Sequence, residues 1–424
     1  MRVLLVGGGG REHALAWKLA QSPRLGRLVA APGNPGVARH AECAAVRDNE
    51  IDNLVALAKR EGADLVVIGP ELPLSLGLAD RLGEAGLAVF GPSQAAARLE
   101  SSKVFSKDLM ARYGIPTARF KIFQDAAAAR RFCRELGAPL VVKADGLAAG
   151  KGAIVCSTLD EADGALRRCL EDGAFGAAGR TVVVEEFMEG EEASFFVVTD
   201  GTSALPFQAA QDHKTIFDGD RGPNTGGMGA YSPAPVMDAA AERRVMDEIV
   251  TPTIAAMARE GAPYAGVLYV GLMITKDGPR VVEFNCRFGD PECQAILPRL
   301  DEDILPVFDA VARGRGLPAS LRWRPESSVC VVLASRGYPA APKVGDPISG
   351  LDAAGALPGV NLFHAGTARH DGGLVTAGGR VLGVQALGPD IRSAVARAYE
   401  AVGRIRFDGM QWRSDIGQRA LGRP

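Results

Sequence analysis

The residues best suited to chemistry lie in one late stretch, residues 281–292. Glu283 and Asn285 are two positions apart after an apolar, β-branched run, so on a strand both side chains would lie on one face. A carboxylate and an amide oxygen suit Mg²⁺, which usually takes one or two protein oxygens and completes its shell with water and nucleotide phosphates. Arg287 continues that face and could bind a phosphate or a carboxylate through two hydrogen bonds. Alone, the stretch is equally consistent with a strand end whose polar residues face solvent.

A lysine within an apolar run indicates a site for an anionic ligand. Lys143 sits in such a run and precedes a glycine-rich hairpin, residues 146–152. A buried lysine is costly without an anion, which a nucleotide phosphate supplies, and the hairpin could cover the phosphates as a flexible lid. It is not a Walker loop, because the required spacing puts Asp145 at the first glycine and Gly152 where Ser or Thr holds the metal.

An adenosine site is suggested after the strand-like residues 181–184. Acidic and apolar residues follow them: Glu185, Glu186, Phe187, Met188, Glu191 and Glu192. At a strand end, backbone groups can read the adenine edge, an apolar side chain can cover its face, and a carboxylate can bind the ribose hydroxyls. The same residues could equally form an acidic surface loop.

These candidates need elements to position them, and the first is a glycine turn between a predicted strand, residues 3–6, and a helical stretch, residues 14–19. Doubly wound sheets use this order to present backbone N–H groups to phosphate. The dinucleotide fingerprint is absent, because either reading places Glu12 or His13 where the third glycine belongs. A nicotinamide enzyme is therefore disfavoured, and a phosphate or ribose-phosphate site remains open.

Further predicted strands at residues 28–31, 65–68 and 88–90 alternate with helical stretches, which predicts a parallel sheet. Residues 32–36 and 69–71 follow strand ends, where open α/β sheets bind ligands, although plain turns fit these segments equally well.

The composition is that of an ordinary globular protein with two to four domains: 424 residues, 47% hydrophobic and 23% charged. A net charge of -2 provides no basic face for nucleic acid, and no apolar run approaches the ~20 residues of a membrane span. The first apolar run passes directly into glycines instead of a signal-peptide cleavage site. Seven scattered cysteines indicate reduced thiols. We therefore expect a cytoplasmic protein that acts on small molecules, without nucleic-acid or membrane partners.

The amino-acid composition changes after Pro318, which marks a last structural unit. Short strands at residues 328–334, 360–366 and 379–386 precede a helix at residues 391–405, which predicts a small antiparallel α+β unit.

Four long runs carry a family resemblance: KADGLAAGKG at residues 143–152, QDHK at 211–214, GPNTGGMGAYSP at 222–233 and EFNCRFGDPE at 283–292. They resemble the glycinamide ribonucleotide synthetase family of ATP-grasp ligases, and the similarity extends from GGGGREH at residues 7–13 to Asp415. Runs of this length are far more specific than a single glycine pattern.

The resemblance implies an α/β and α+β multidomain fold. It implies a doubly wound parallel-sheet domain at residues 1–100 that binds ribose phosphate. An ATP-grasp core would follow at residues 101–318, with a mobile lid at about residues 120–190, and a small α+β domain at residues 319–424. A monomer, or a weak dimer, is expected.

The family reaction would use ATP, with Mg²⁺ or Mn²⁺, to convert glycine to glycyl phosphate, which the amine of 5-phosphoribosylamine would attack. The implied metal ligands are Glu283 and Asn285, and the implied catalytic residues are Arg287, facing the acyl phosphate, Lys214 and Asp212. The implied ATP site comprises Lys107, Lys143, Gly150, Lys151, Gly152, Glu185, Glu186, Phe187, Met188, Glu191 and Glu192. The implied substrate site comprises Gly8, Gly9, Gly10, Asn34, Glu71, Asn224, Thr225, Gly226 and Asp290. His213 is expected to bind or to support structure, since an amine needs no base to attack an acyl phosphate.

Two alternatives stay open. Another ATP-grasp ligase could form a carboxyphosphate or formyl phosphate on a purine precursor, although the runs at residues 211–214 and 285–290 argue against it. A regulatory protein could hold ATP without turnover, although pure binding would not need Glu283, Asn285 and Arg287 together.

Overall fold

In the computed structural model, which describes residues 1–147, 152–174 and 176–422, the first unit is a parallel sheet with strand order β3-β2-β1-β4-β5. Its elements are β1 (Arg2–Gly7), α1 (Gly10–Leu19), β2 (Arg27–Pro32), β3 (Glu42–Cys43), α2 (Ile51–Arg60), β4 (Leu65–Ile68), α3 (Glu71–Ser75), α4 (Leu78–Glu84) and β5 (Val89–Phe90). The predicted doubly wound sheet is confirmed. Strand order reverses between β1 and β4, so the turns after these two strands open into the crevice where such sheets bind ligands.

Two helices connect this sheet to a small antiparallel sheet with strand order β6-β9-β7-β8. The elements are α5 (Gln94–Ser101), α6 (Lys103–Tyr113), β6 (Phe120–Phe123), α7 (Ala126–Leu136), β7 (Leu140–Ala144), β8 (Ala153–Cys156), α8 (Leu159–Leu166) and β9 (Val182–Glu186). Side chains of α7, α8, β7 and β9 form a separate hydrophobic cluster, which includes Phe132 and Val142. Gly150 and Lys151, two of the predicted ATP-binding residues, lie outside the described residues.

The next sheet is antiparallel in the order β11-β10-β16-β17. The elements of this part of the chain are β10 (Glu191–Asp200), β11 (Ala204–Pro206), β12 (Gln211–Asp212), β13 (Thr215–Phe217), β14 (Arg221–Asn224), β15 (Gly229–Ser232), α9 (Ala239–Val245), α10 (Thr251–Arg259), β16 (Ala265–Thr275), β17 (Gly278–Asn285), α11 (Glu292–Ile296) and α12 (Ile304–Ala312). A π-helical turn, Met246–Val250, joins α9 to α10. Apolar residues of α10, β16 and β17 share one hydrophobic cluster with the first sheet, so these two units pack together directly.

The last sheet is antiparallel in the order β12-β15-β18-β22-β19, and it confirms the predicted α+β character of the C-terminal unit. Its remaining elements are β18 (Ser327–Ala334), α13 (Leu351–Gly355), β19 (Val360–His364), β20 (Thr367–His370), β21 (Gly373–Thr376), β22 (Arg380–Gly388), α14 (Ile391–Val402) and α15 (Gln418–Leu421). Two of its strands, β12 and β15, come from before residue 318, and the β13–β14 hairpin lies between them in the chain.

Among the residues that the structure describes, no helix is both long and apolar enough to cross a membrane.

Candidate active site

A cleft of about 590 Å³ runs between these units and gathers most of the predicted site residues. Of the predicted residues that the structure describes, those lining it are Glu71, Lys107, Lys143, Gly152, Glu185, Glu186, Phe187, Met188, Glu192, Asp212, Lys214, Asn224, Thr225, Gly226, Glu283, Asn285, Arg287 and Asp290. The lining does not include Gly8, Gly9, Gly10, Asn34 or Glu191.

The oxygen-rich face of β17 lies in this cleft. Glu283 pairs with Gly271 and Asn285 with Tyr269 in the β16–β17 ladder, and both side chains reach the cleft. The Glu283 carboxylate has no hydrogen bond to a described residue. Burial alone would raise its pKa, but the charges of Lys214 and Lys103 lower that pKa below its ordinary value. Glu283 is therefore an ionised and uncommitted oxygen donor, as a divalent cation requires.

Arg287 is held by two acids. Its Nη2 lies 2.8 Å from Glu100 Oε1, and its Nε lies 3.2 Å from Glu71 Oε2. Arg287 also donates to Asn285 Oδ1 at 3.2 Å, which links it to the metal face. Burial alone would raise the pKa of Glu71, but the charges of Arg287 and Arg11 lower it to about 2. Arg287 is thus fixed at the junction of the first sheet and β17.

The lysine pair Lys107 and Lys143 meets at one buried carboxylate. Lys143 Nζ lies 2.9 Å from Glu185 Oε2, and Lys107 Nζ lies 3.1 Å from Glu185 Oε1. Burial lowers the pKa of Lys107 to about 8, with Lys143 adding to the shift although Glu185 opposes it. One carboxylate faces two ammonium groups here, which leaves positive charge for a phosphate.

In the predicted adenosine segment, Glu186 is hydrogen-bonded to the protein, whereas Phe187 and Met188 present apolar surface to the cleft. Glu186 accepts from the Arg119 backbone N–H at 2.9 Å and from Arg280 Nη2 at 2.7 Å, so its carboxylate is occupied by the protein. Phe187 is 40% exposed and Met188 is 8% exposed, and both line the cleft. Their apolar surfaces are available to the face of a base.

The two acids at the start of β10 differ in whether they line the cleft. Glu192 lines the cleft and forms an ion pair with Lys214, whereas Glu191 is not among the lining residues. Of the two predicted ribose-binding acids, Glu192 is thus the one that lines the cleft, and its contact with the ribose hydroxyls stays a prediction.

The loop after β12 brings its predicted residues to the same side of the cleft. The Thr225 N–H and hydroxyl both donate to the Lys214 carbonyl oxygen, at 2.8 and 2.7 Å. Burial raises the pKa of Asp212 to about 7, and Glu292 and Glu192 add to the shift although Lys214 opposes it. Burial and the two neighbouring acids therefore favour the neutral form of Asp212 more than they would for an exposed carboxyl group.

His213 does not line the cleft. Burial lowers its pKa to about 3, and the nearby charges of Arg419 and Arg413 lower it further. Among described residues, its buried Nδ1 has no hydrogen-bond partner. The ring is therefore neutral and is not part of the cleft lining, and the expectation that His213 binds or supports structure stays a prediction.

The glycine turn is closely packed. A Cβ at Gly8 would lie 2.5 Å from the Gly33 carbonyl oxygen, and one at Gly10 would lie 2.5 Å from Gln294 Nε2. The Gly9 N–H donates to Glu12 Oε2 at 2.7 Å. These glycines let the turn and the start of α1 lie close to the Gly33 backbone and the Gln294 side chain. The next residue, Arg11, does line the cleft.

The Asn34 side chain stabilises this turn through hydrogen bonds to four backbone groups. Its Nδ2 donates to the carbonyl oxygens of Gly8 and His364, both at 2.8 Å, and its Oδ1 accepts from the N–H groups of Gly36 and Val37 at 2.8 and 2.9 Å. The side chain is therefore used by the protein itself, and a direct contact of Asn34 with substrate stays a prediction.

Sequence reasoning missed several cleft residues, namely Arg11, Glu100, Lys103, Glu292, Tyr338 and Arg380. Arg380, at the start of β22, donates to the carbonyl oxygens of Asp290 and Gly226, both at 2.6 Å. Asp290 is partly buried, which would raise its pKa, but the charges of Arg380 and Arg11 lower that pKa. Arg11 and Glu292 lie within the sequence runs that carry the family resemblance, residues 7–13 and 283–292, so they could have been predicted as site residues. Arg380 lies in no such run, and its sequence neighbours did not indicate a place in the cleft.

Comparison with known proteins gives a consistent result along the whole chain. Residues 1–100, 101–293 and 328–419 match family models described as the N domain, the ATP-grasp (A) domain and the C domain of phosphoribosylglycinamide synthetase. A phosphoribosylamine-glycine ligase of Brucella melitensis is 54% identical over 423 residues, covering 100% of this chain and 99% of the relative. One of Caulobacter vibrioides is 55% identical and covers 99% of both chains.

Solved structures agree with this similarity. A phosphoribosylamine-glycine ligase of Thermotoga maritima superposes with a TM-score of 0.86 at 34% identity, covering 98% of this chain and 100% of that chain. A biotin carboxylase of Campylobacter jejuni has a TM-score of 0.73 at 16% identity, covering 100% and 95%, which shows a shared fold alone.

Proposed function

Because the chain belongs to the phosphoribosylglycinamide synthetase family, we propose that its cleft is the active site of a ligase that joins glycine to 5-phosphoribosylamine with ATP, in purine biosynthesis. The products are glycinamide ribonucleotide, ADP and phosphate. The observation that carries the proposal is that residues from all three matched domains line one cleft, with lysines, an uncommitted carboxylate and an arginine facing the same space.

Enzymes of the ATP-grasp fold use ATP with divalent metal ions, and the described residues fit that pair. We assign the ATP phosphates to Lys107 and Lys143 and the adenine to Phe187 and Met188. No group of three or more His, Cys, Asp or Glu in the described residues could hold a metal. Glu283 and Asn285 would thus hold Mg²⁺ or Mn²⁺ with phosphate and water as further ligands, and the bound ion would neutralise charge on the phosphates.

The first chemical step transfers the γ-phosphoryl group of ATP to the glycine carboxylate and forms glycyl phosphate. No protein nucleophile is needed, because phosphoryl transfer depends mainly on positioning and electrostatic stabilisation. Arg287, fixed by Glu100 and Glu71, presents its guanidinium to the acyl phosphate. In the second step the amine of phosphoribosylamine attacks the acyl carbon, and phosphate leaves.

The acceptor is proposed to bind between the first sheet and the loop after β12. Its ribose phosphate would lie near Arg11 in the first turn of α1, because the guanidinium favours an anion and Arg11 lines the cleft. Lys214, Thr225 and Asp290 face this region, and we assign them to orienting the acceptor. A monomeric or weakly dimeric state stays a prediction.

The deciding experiment measures ADP release by the purified protein with Mg²⁺ and ATP. Glycine and phosphoribosylamine, generated from ribose 5-phosphate and ammonia, are added singly and together. We expect release only with every component present, together with glycinamide ribonucleotide. Release that is indifferent to glycine, or stimulated by bicarbonate or formate, would instead identify another ATP-grasp ligase. ATP binding without release under any combination would favour a regulatory protein.

A further inference from the structure

The β13–β14 hairpin links two parts of the cleft lining. Lys214 immediately precedes it, Asn224 ends it, and the Thr225 bonds to the Lys214 carbonyl oxygen close its base. The hairpin pairs with no other strand of the described chain, and Phe217 on it is 56% exposed. An isolated two-stranded hairpin is only marginally stable in water, so other contacts must fix its position.

Those contacts come from the C-terminal segment at residues 413–419, here named the clamp. Arg413 is 1% exposed and donates from Nη1 to Thr215 Oγ1 and to Asp220 Oδ1, both at 2.9 Å. Asp415 holds the other side of the guanidinium, with Arg413 Nε and Nη2 each 2.7 Å from a carboxylate oxygen. A buried, doubly paired arginine is geometrically rigid, so it fixes the hairpin strand against the clamp.

The clamp also forms hydrogen bonds with the turn of the hairpin, residues 218–220. The Ser414 N–H donates to Asp218 Oδ1 at 2.8 Å, and the Gly219 N–H donates to Asp415 Oδ2 at 2.9 Å. Arg419 Nη2 binds Asp220 at 2.7 Å, and its Nη1 donates to the Asp212 carbonyl oxygen at 3.3 Å. The clamp therefore contacts both the hairpin turn and the strand that carries Asp212.

The clamp is itself anchored to the C-terminal unit. The Tyr399 hydroxyl on α14 donates to the Arg413 carbonyl oxygen at 2.7 Å and accepts from the Ile416 N–H at 3.0 Å. Ile416 is fully buried in the hydrophobic cluster of that unit. A continuous set of contacts thus joins α14 to the hairpin, while Arg413 itself does not line the cleft.

We propose that Arg413 is a positioning residue for the ligation: through the hairpin it holds Lys214 and Thr225 at the acceptor side of the cleft. This inference rests on the proposed function, because it assigns a task within that reaction. Lys107 and Lys143, which we assign to the ATP phosphates, lie on α6 and β7, outside the hairpin and the clamp. Lys214 also forms an ion pair with Glu192, a candidate for the ATP ribose, so the clamp should affect acceptor use strongly and ATP binding more weakly.

The test replaces Arg413 by Met. We expect kcat/KM for phosphoribosylamine to fall about 10²-fold, as a displacement of roughly 1 Å can cause, while the KM for ATP changes much less. Trypsin should also cleave after the exposed Arg221 faster than in the wild type. Arg413→Lys should restore part of the activity, because one ammonium group can still reach Thr215 or Asp220. Arg404→Met is the matched control, since Arg404 binds Glu400 and Ala353 within the C-terminal unit.

A milder variant decides the case if Arg413→Met fails to fold. Ser414 is exposed and Asp218 is partly exposed, so both can be replaced without disturbing the core. Ser414→Ala combined with Asp218→Asn removes the hydrogen bond between the Ser414 hydroxyl and the Asp218 carboxylate, and it takes the charge from the acceptor of the Ser414 N–H. Faster cleavage at Arg221, with a loss that is larger for acceptor use than for ATP binding, supports the proposal. Wild-type cleavage and turnover in both the double variant and any folded Arg413 variant would overturn it. A wild-type protein without glycine-dependent ADP release would refute the proposed function instead, and the cleavage assay would still report on the clamp.

Discussion

The Arg287 guanidinium lies 2.8 Å from the Glu100 carboxylate, although the two residues are far apart in the chain. Arg287 follows the end of β17, and Glu100 lies on α5, the helix that follows the first sheet. Glu100 is buried, which raises its pKa although the charge of Arg287 opposes the shift. It also accepts from the Cys286 N–H at 2.7 Å. The orientation of Arg287 in the cleft therefore depends on an acid that no motif identified.

Glu100→Gln should test that dependence. Gln keeps an oxygen for Arg287 but removes the buried charge, so we expect the free energy of unfolding to fall by ~3 kcal/mol, the low end for a broken buried ion pair. Urea denaturation measures this change, and turnover should fall with it because Arg287 loses its fixed position. Glu84→Gln, at an exposed pair with Arg81, is the control. Unchanged stability and turnover would show that Arg287 is held without Glu100.

Glu283→Gln should remove the anionic oxygen at the proposed metal site. We expect kcat to fall about 10²-fold or more, because several kcal/mol of charge stabilisation are lost. The Mg²⁺ concentration needed for half-maximal activity should rise, measured as ADP release in a metal titration. Glu248→Gln, at the exposed pair with Arg244, controls for general effects of losing an acid. If activity and its Mg²⁺ dependence survive, the metal assignment is wrong.

How much the sequence could predict depended on whether a residue's partners are local. The apolar run at residues 65–68 became β4 with the same bounds, because a fully buried parallel strand needs a continuous apolar segment. Glu283 and Asn285 share a face because strand side chains alternate with a period of two, so their spacing alone placed them together.

Residues whose partners are distant in the chain could not be placed this way. The predicted helix at residues 391–405 ends at Val402, because its end depends on how the following turn packs. Arg380 reaches Asp290 across 90 residues, and the sequence around it gave no indication of that contact. Asn34 follows a strand end, where a ligand-binding residue was expected, yet one of its bonds reaches His364, 330 residues away.

Asn34→Ala should separate a structural from a substrate-binding role. Four backbone groups lose their partner, so we expect the free energy of unfolding to fall by about 2 kcal/mol. The KM for phosphoribosylamine should rise as a consequence of the disturbed glycine turn. Denaturation and steady-state kinetics on the same sample measure both quantities. A higher KM with unchanged stability would instead indicate a direct contact of Asn34 with substrate.

The low pKa of Lys107, about 8, makes ATP binding pH-dependent. An anionic phosphate favours protonated Lys107 and raises its pKa, so binding above pH 8 must take up a proton. We therefore expect the Kd for ATP to rise as the pH increases from 8 to 10. Titration calorimetry at pH 8.5, in buffers of different ionisation enthalpy, should detect the proton uptake directly.

Lys107→Met should bind ATP more weakly and lose this pH dependence, whereas Lys121→Met, at an exposed position, should retain it. The free enzyme has the opposite linkage: because Lys107 has a lower pKa folded than unfolded, the unfolded chain binds more protons between about pH 8 and 10.5. This residue alone therefore makes the fold more stable as the pH rises through that window, so weaker ATP binding there cannot be attributed to Lys107-linked unfolding. A Kd that stays constant from pH 8 to 10 would show that Lys107 does not face the phosphates.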